Sequence, residues 1–103
     1  MKFTIKKVGG GFHPVIDVKL NGRKVKALID TGANITCSDF EINGTVIIGK
    51  HIFKGTIKGY KLPNNYELII GSDILVKTGA IINYRNNTIV FKNDYISPDI
   101  RYE

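Results

Sequence analysis

The sequence predicts a single all-β domain, and three observations carry that expectation. Short runs rich in Ile, Val, Phe, Thr and Tyr recur between Gly and Asn punctuation; Val15-Ile16-Asp17-Val18-Lys19-Leu20 alternates apolar with polar residues; and one brief stretch alone has the bounds of a helix. A chain of 103 residues has the length of one ordinary domain, so residues 1–103 are expected to share one core. Its 43% apolar and 23% charged residues are ordinary for a globular chain, and no apolar run approaches the roughly 18 residues of a membrane-crossing helix.

Phe3-Thr4-Ile5 reads as a first strand and Val15 to Leu20 as a second. Asn21-Gly22 accepts positive φ readily and should turn the chain tightly into Arg23 to Ile29 as a hairpin. Thr45 to Ile48, then Gly49-Lys50-His51, then Ile52 to Ile57 predict another hairpin, and Leu62 to Asn65 a loop. Leu68-Ile69-Ile70 is wholly apolar, as a strand buried on both faces would be. Ser72 or Asp73 starts a short helix that Gly79 stops. Ala80 to Tyr84 and Thr88 to Lys92 form a last hairpin. Residues 1–12 and 93–103 are expected to be loosely attached ends.

Fifteen Lys and Arg against nine Asp and Glu leave a charge of +6. The basic residues mostly alternate with apolar ones, which is the spacing of solvent-facing strand positions and does not point to nucleic acid. Cys37 is the single cysteine, so no intrachain disulfide can form. Together with a basic N-terminus cut short by Gly9-Gly10-Gly11, it predicts a cytoplasmic or virion-associated protein that is not secreted. His13 and His51 are too isolated to suggest zinc; no metal and no cofactor are expected.

The residues with chemical promise are Asp30-Thr31-Gly32-Ala33, directly after the apolar Ala27-Leu28-Ile29. A carboxylate where a buried strand breaks into a loop must be hydrogen-bonded, and the Thr31 hydroxyl and Gly32 amide can do that. Gly32 lacks a Cβ and so lets a substrate or second chain come close.

This tetrapeptide resembles the catalytic motif of retroviral, retrotransposon and pararetrovirus aspartic proteases. A second landmark of that family, an apolar pair followed by glycine and a short helix, is matched by Leu68-Ile69-Ile70-Gly71-Ser72-Asp73-Ile74-Leu75. The resemblance runs from about residue 15 to 92 and is poor over residues 39–60. It implies a retropepsin-like acid-protease half-barrel with one short helix near the C-terminus. It further implies a homodimer acting on peptide or polyprotein substrates without a membrane, with Asp30 from each copy as catalytic residue. Thr31, Gly32 and Ala33 would form the active-site loop, and Gly32, Asn34 and Ile70 would contact substrate.

Two departures qualify the likeness. Retroviral members often place an acidic residue and an arginine where this chain has Asn34 and Ser72. Both charges are missing together, so no buried charge is stranded. The region between the two landmarks also has sequence for one hairpin where the family usually has two. Gly44 to Tyr60 fits the second, and Asp39 to Asn43 is too short for the flap that covers substrate. A catalytically silent interaction domain is therefore the alternative to a working endopeptidase.

Overall fold

Asn21 and Gly22 both take positive φ, 51° and 84°, and close a two-residue turn whose twist suits a hairpin. On either side lie β2 (Gly11–Leu20) and β3 (Arg23–Ile29), paired from Leu20↔Arg23 to Val15↔Leu28. The computed structural model describes residues 1–63 and 66–96. The remaining elements are β1 (Thr4–Val8), β4 (Cys37–Ser38), β5 (Ile42–Ile48), β6 (His51–Gly59), β7 (Leu68–Ile70), α1 (Ser72–Lys77), β8 (Ile81–Asn83), β9 (Thr88–Val90) and β10 (Tyr95–Ile96). The expected all-β class with one short helix therefore holds.

The main sheet closes on itself. β3 pairs in parallel with β7, β7 with β4, β4 in parallel with β6, β6 with β5, and β5 returns to β2. This six-stranded ring is the half-barrel, with β1 added outside β2 and β10 outside β6. Closure removes edges that would otherwise expose unpaired backbone groups. Alternation sorts the side chains of β2. Ile16, Val18 and Leu20 join Ala27, Ile29, Val46, Ile48, Phe53, Leu68 and Ile70 in the main core. Val15 goes to the other face, into a smaller cluster with Val8, Leu28, Cys37, Leu62 and Ile69. Each such aliphatic side chain contributes on the order of 1.5–3 kcal/mol by leaving water.

Three local expectations need correction. Residues 1–12 are no loose end: Phe3 is buried, its amide donates to Asn87 O at 2.9 Å, Ile89 N donates to Met1 O at 2.9 Å, and β1 lies along β2. The chain is held there because Phe3 has an apolar site to fill. At the other end, β10 pairs with β6, and Asp94 Oδ1 accepts from Ile52 N at 3.1 Å; residues 97–103 lie outside the described residues. Finally, α1 is capped by Gly71 with no side-chain cap, since Ser72 and Asp73 lie inside the helix, where the Asp73 carboxylate accepts from Thr36 and from Ile74 N. Its end is as expected: Gly79 takes φ 62° while Gly79 N and Ala80 N donate to Val76 O and Leu75 O.

Candidate active site

β3 leaves the ring at Ile29, and the next residue is fixed from both directions. Asp30 N donates to Ile70 O on β7 at 2.9 Å, and Asp30 O accepts from Ala33 N at 3.1 Å, so the loop Asp30 to Ala33 is a tight turn hung on the neighbouring strand. Within it, Gly32 N donates to Asp30 Oδ1 at 2.9 Å. A Cβ on Gly32 would sit 3.3 Å from that same oxygen, so glycine lets the amide reach the carboxylate without crowding it. The Asp30 side chain is 28% exposed, held by the protein yet reachable from outside.

The second half of the floor arrives from forty residues further along the chain. Ile29 is level with Ile70, and Ser72 N donates to Ala33 O at 2.7 Å, which ties the Asp30 to Ala33 loop to the start of α1. Gly71 sits where no side chain fits: an added Cβ would lie 2.6 Å from Ile35 O and 2.8 Å from Ala33 O. Its amide donates to Thr36 Oγ1 at 3.1 Å. Thr36 in turn donates to Asp73, from Oγ1 to Oδ1 at 2.8 Å and from N to Oδ2 at 3.0 Å. This bidentate clamp, one charge and two hydrogen-bond donors, ties the strand after the loop to the first turn of α1.

Thr31, Gly32 and Asn34 are exposed at the loop, and Ala33 is half-buried against Val8, Cys37 and their neighbours. Ile70 does not line a cleft. Its side chain is fully buried in the main core because it belongs to the inward face of β7, and it serves the site only through its carbonyl. Cys37 is a free, buried thiol, pushed up from its ordinary pKa by burial first and then by the carboxylates of Asp73 and Asp30.

Thr36, Asp73 and His13 were not among the candidate site residues. The first two meet across 37 positions, and nothing local announces them. His13 carried a countable signal. The Asn21-Gly22 turn fixes the register, and two residues beyond Val15↔Leu28 that register sets His13 opposite Asp30. Its Nδ1 lies 4.0 Å from Asp30 Oδ1, beyond hydrogen-bond range but close enough for charge to be felt.

The β5–β6 hairpin does not stand over this loop. It is part of the ring, with Val46, Ile48, Phe53 and Ile57 in the main core and Val46 and Ile47 paired to β2. Only Asp39 to Glu41 separate β4 from it. Among the described residues, no separate hairpin lies between β4 and β7 to serve as a flap.

Comparison with known proteins agrees with this geometry. Residues 12–43 match the family described as retroviral aspartyl protease. The chain is 28% identical over 112 aligned positions to a retrovirus-related Pol polyprotein from transposon 297 of Drosophila melanogaster, covering 85% of this chain and 10% of that protein. It thus spans about a tenth of the length of that relative. In structure it resembles the retroviral protease-like domain of Ddi1 from Leishmania major, with a TM-score of 0.63 and 17% identity over 77% of this chain and 87% of that one. At that identity the likeness speaks for the fold, which is retropepsin-like.

Proposed function

We propose that this retropepsin-like chain is one half of an aspartic endopeptidase, active as a homodimer in which two copies of Asp30 face each other across a two-fold axis. The observation that carries this function is the pose of Asp30. One carboxylate oxygen is held by the Gly32 amide at 2.9 Å, while Oδ2 has no hydrogen-bond donor among the described residues. In a facing pair the two carboxyl groups cannot both ionise cheaply and share one proton. The ionised member takes a proton from a water between them, the water attacks the peptide carbonyl, and the protonated member donates to the carbonyl oxygen. Thr31 would bond across the dimer to the opposite loop, and Gly32 and Asn34 would meet the substrate backbone. Polyprotein processing is the use that fits the transposon relative.

A surface for the second copy is available. β9 has residues 1–3 along one edge and β8 along the other, while β8 has a free edge among the described residues. Ile81 and Val90 are paired in register on this small sheet and are 53% and 44% exposed, with Tyr84 close by in sequence at 57%. Joining β8 to its symmetry mate would satisfy that edge and cover those side chains.

A second function has one observation in its favour. Without a flap, water is excluded less well and substrate is held less firmly, as suits a silent domain that keeps the dimer and has lost turnover. Sedimentation combined with peptide-library cleavage at mildly acidic pH separates the two. Cleavage by a dimer, blocked by a statine inhibitor and by Asp30→Asn, supports the endopeptidase. A dimer with no turnover supports the silent domain, and a protein monomeric under all conditions rejects both.

A further inference from the structure

The β1–β2 hairpin stands beside Asp30, and over residues 1–16 its charged side chains are all basic. Register places three side chains in a row across three strands: Lys6 on β1 is paired with His13 on β2, and His13 is opposite Asp30 at the end of β3. Directly opposed residues on neighbouring strands present their side chains to the same face, so Lys6 shares the face of the catalytic carboxylate. The hairpin continues past this row through Val8↔Gly11 to the Gly9–Gly10 turn. That is a further two residues, about 7 Å, which raises a wall beside the loop. No Asp or Glu occurs in residues 1–16, whereas Lys2, Lys6, Lys7 and His13 all do. Lys24, Lys26 and Lys58 are each engaged by a carboxylate; Lys6 has no ion-pair partner among the described residues.

We propose that this hairpin is the substrate-reading wall of the site and that Lys6 selects extended peptides bearing Asp or Glu about three residues from the scissile bond. The inference rests on the endopeptidase function above and adds its substrate class. The spacing follows from geometry: two strand separations put Lys6 about 10 Å from Asp30, and an extended chain advances about 3.3 Å per residue. Two-fold symmetry gives one Lys6 on each side of the scissile bond, so an acid on either side is read. With no flap to clamp the backbone, the wall is left to supply the discrimination.

The test uses Asp30→Asn, so that binding is read without turnover. Fluorescent peptides that differ only in Glu or Gln three residues from the central bond are titrated at low and moderate salt. The Glu peptide is expected to bind about threefold to tenfold tighter at low salt, the size of a half-exposed charge contact, with the gap narrowing as salt rises. Lys6→Glu should reverse the preference toward a Lys-bearing peptide. Lys19→Glu, on the same strand as His13 but at its far end, makes the same change in net charge and should leave the preference in place. Equal binding of Glu and Gln peptides, or equal effects of Lys6→Glu and Lys19→Glu, would overturn the inference while leaving the endopeptidase standing. Failure of every peptide to bind, with no cleavage by the wild type, would overturn both.

Discussion

The floor of the site and the region that should roof it are built to different standards. In the floor, residues 30–36 and 70–73 are locked by at least eight hydrogen bonds and by a glycine with no room for a methyl group. Between residues 39 and 60 the chain spends its one hairpin on closing the ring, and the match to the retroviral family ends at residue 43, where that hairpin begins. The difference teaches that in this half-barrel the β5–β6 hairpin is a structural member of the ring, and that no further hairpin is present among the described residues to act as a flap. Turnover and stability are therefore expected to respond to different parts of the molecule.

The largest contrast should come from Asp30→Asn. It is expected to lower kcat/KM by about 10²–10⁴, the scale of losing an acid–base group, with the fold kept and the dimer as firm or firmer in sedimentation, since like-charge repulsion is removed. A monomeric mutant would argue against facing carboxylates. Next, Gly71→Ala should destabilise by about 2–4 kcal/mol in urea unfolding, because its methyl meets backbone atoms that cannot step aside. In the hairpin, Gly44→Ala meets side-chain atoms alone, the terminal Ile57 Cδ1 at 2.9 Å and Ile42 from 3.4 Å, and should cost under about 1 kcal/mol. Equal costs would erase the distinction between floor and hairpin. Thr36→Val, which leaves the Gly71 amide without its acceptor and takes the Oγ1 donor, though not the Thr36 and Ile74 amides, from the Asp73 carboxylate, should cost about 2 kcal/mol, with Thr36→Ser recovering most of it.

The smallest effect belongs to pH. Asp94 is held below the usual carboxylate range by the Ile52 amide first and then by His51. A carboxyl depressed in the folded state contributes stability above its unfolded value, about pH 4, and loses it as pH falls through the folded one. The Tm gap between wild type and Asp94→Asn should therefore be present at pH 6 and vanish toward pH 3. A gap that widened in acid would mean that this contact has been misjudged.

What the sequence disclosed was local or could be counted. Asn21-Gly22 announced its turn, Gly79 its helix stop, and Asp30-Thr31-Gly32 its loop, because each conformation is set by a few adjacent residues. The poor match over residues 39–60 likewise pointed to a single hairpin there, and among the described residues one hairpin is what that stretch forms. Pairings at long range stayed hidden. The Thr36–Asp73 clamp spans 37 positions, and Met1 to Phe3 find their place only against β9. Gly9-Gly10-Gly11 looked like an interruption, yet a positive φ at Gly9 turns the chain there and Gly11 opens β2. Ile70 was misplaced because an apolar residue beside a tightly packed glycine can face either way, and only the register with β3 decides which.

The parallel contact of β3 with β7 has a consequence in time. Asp30 is anchored by the carbonyl of Ile70, and Thr36 by a residue later still. A chain emerging from the ribosome cannot set its carboxylate until some forty further residues have been made and the ring has shut. Such distant pairing folds slowly, so in a truncated or half-made copy the Asp30 loop lacks the strand that anchors it.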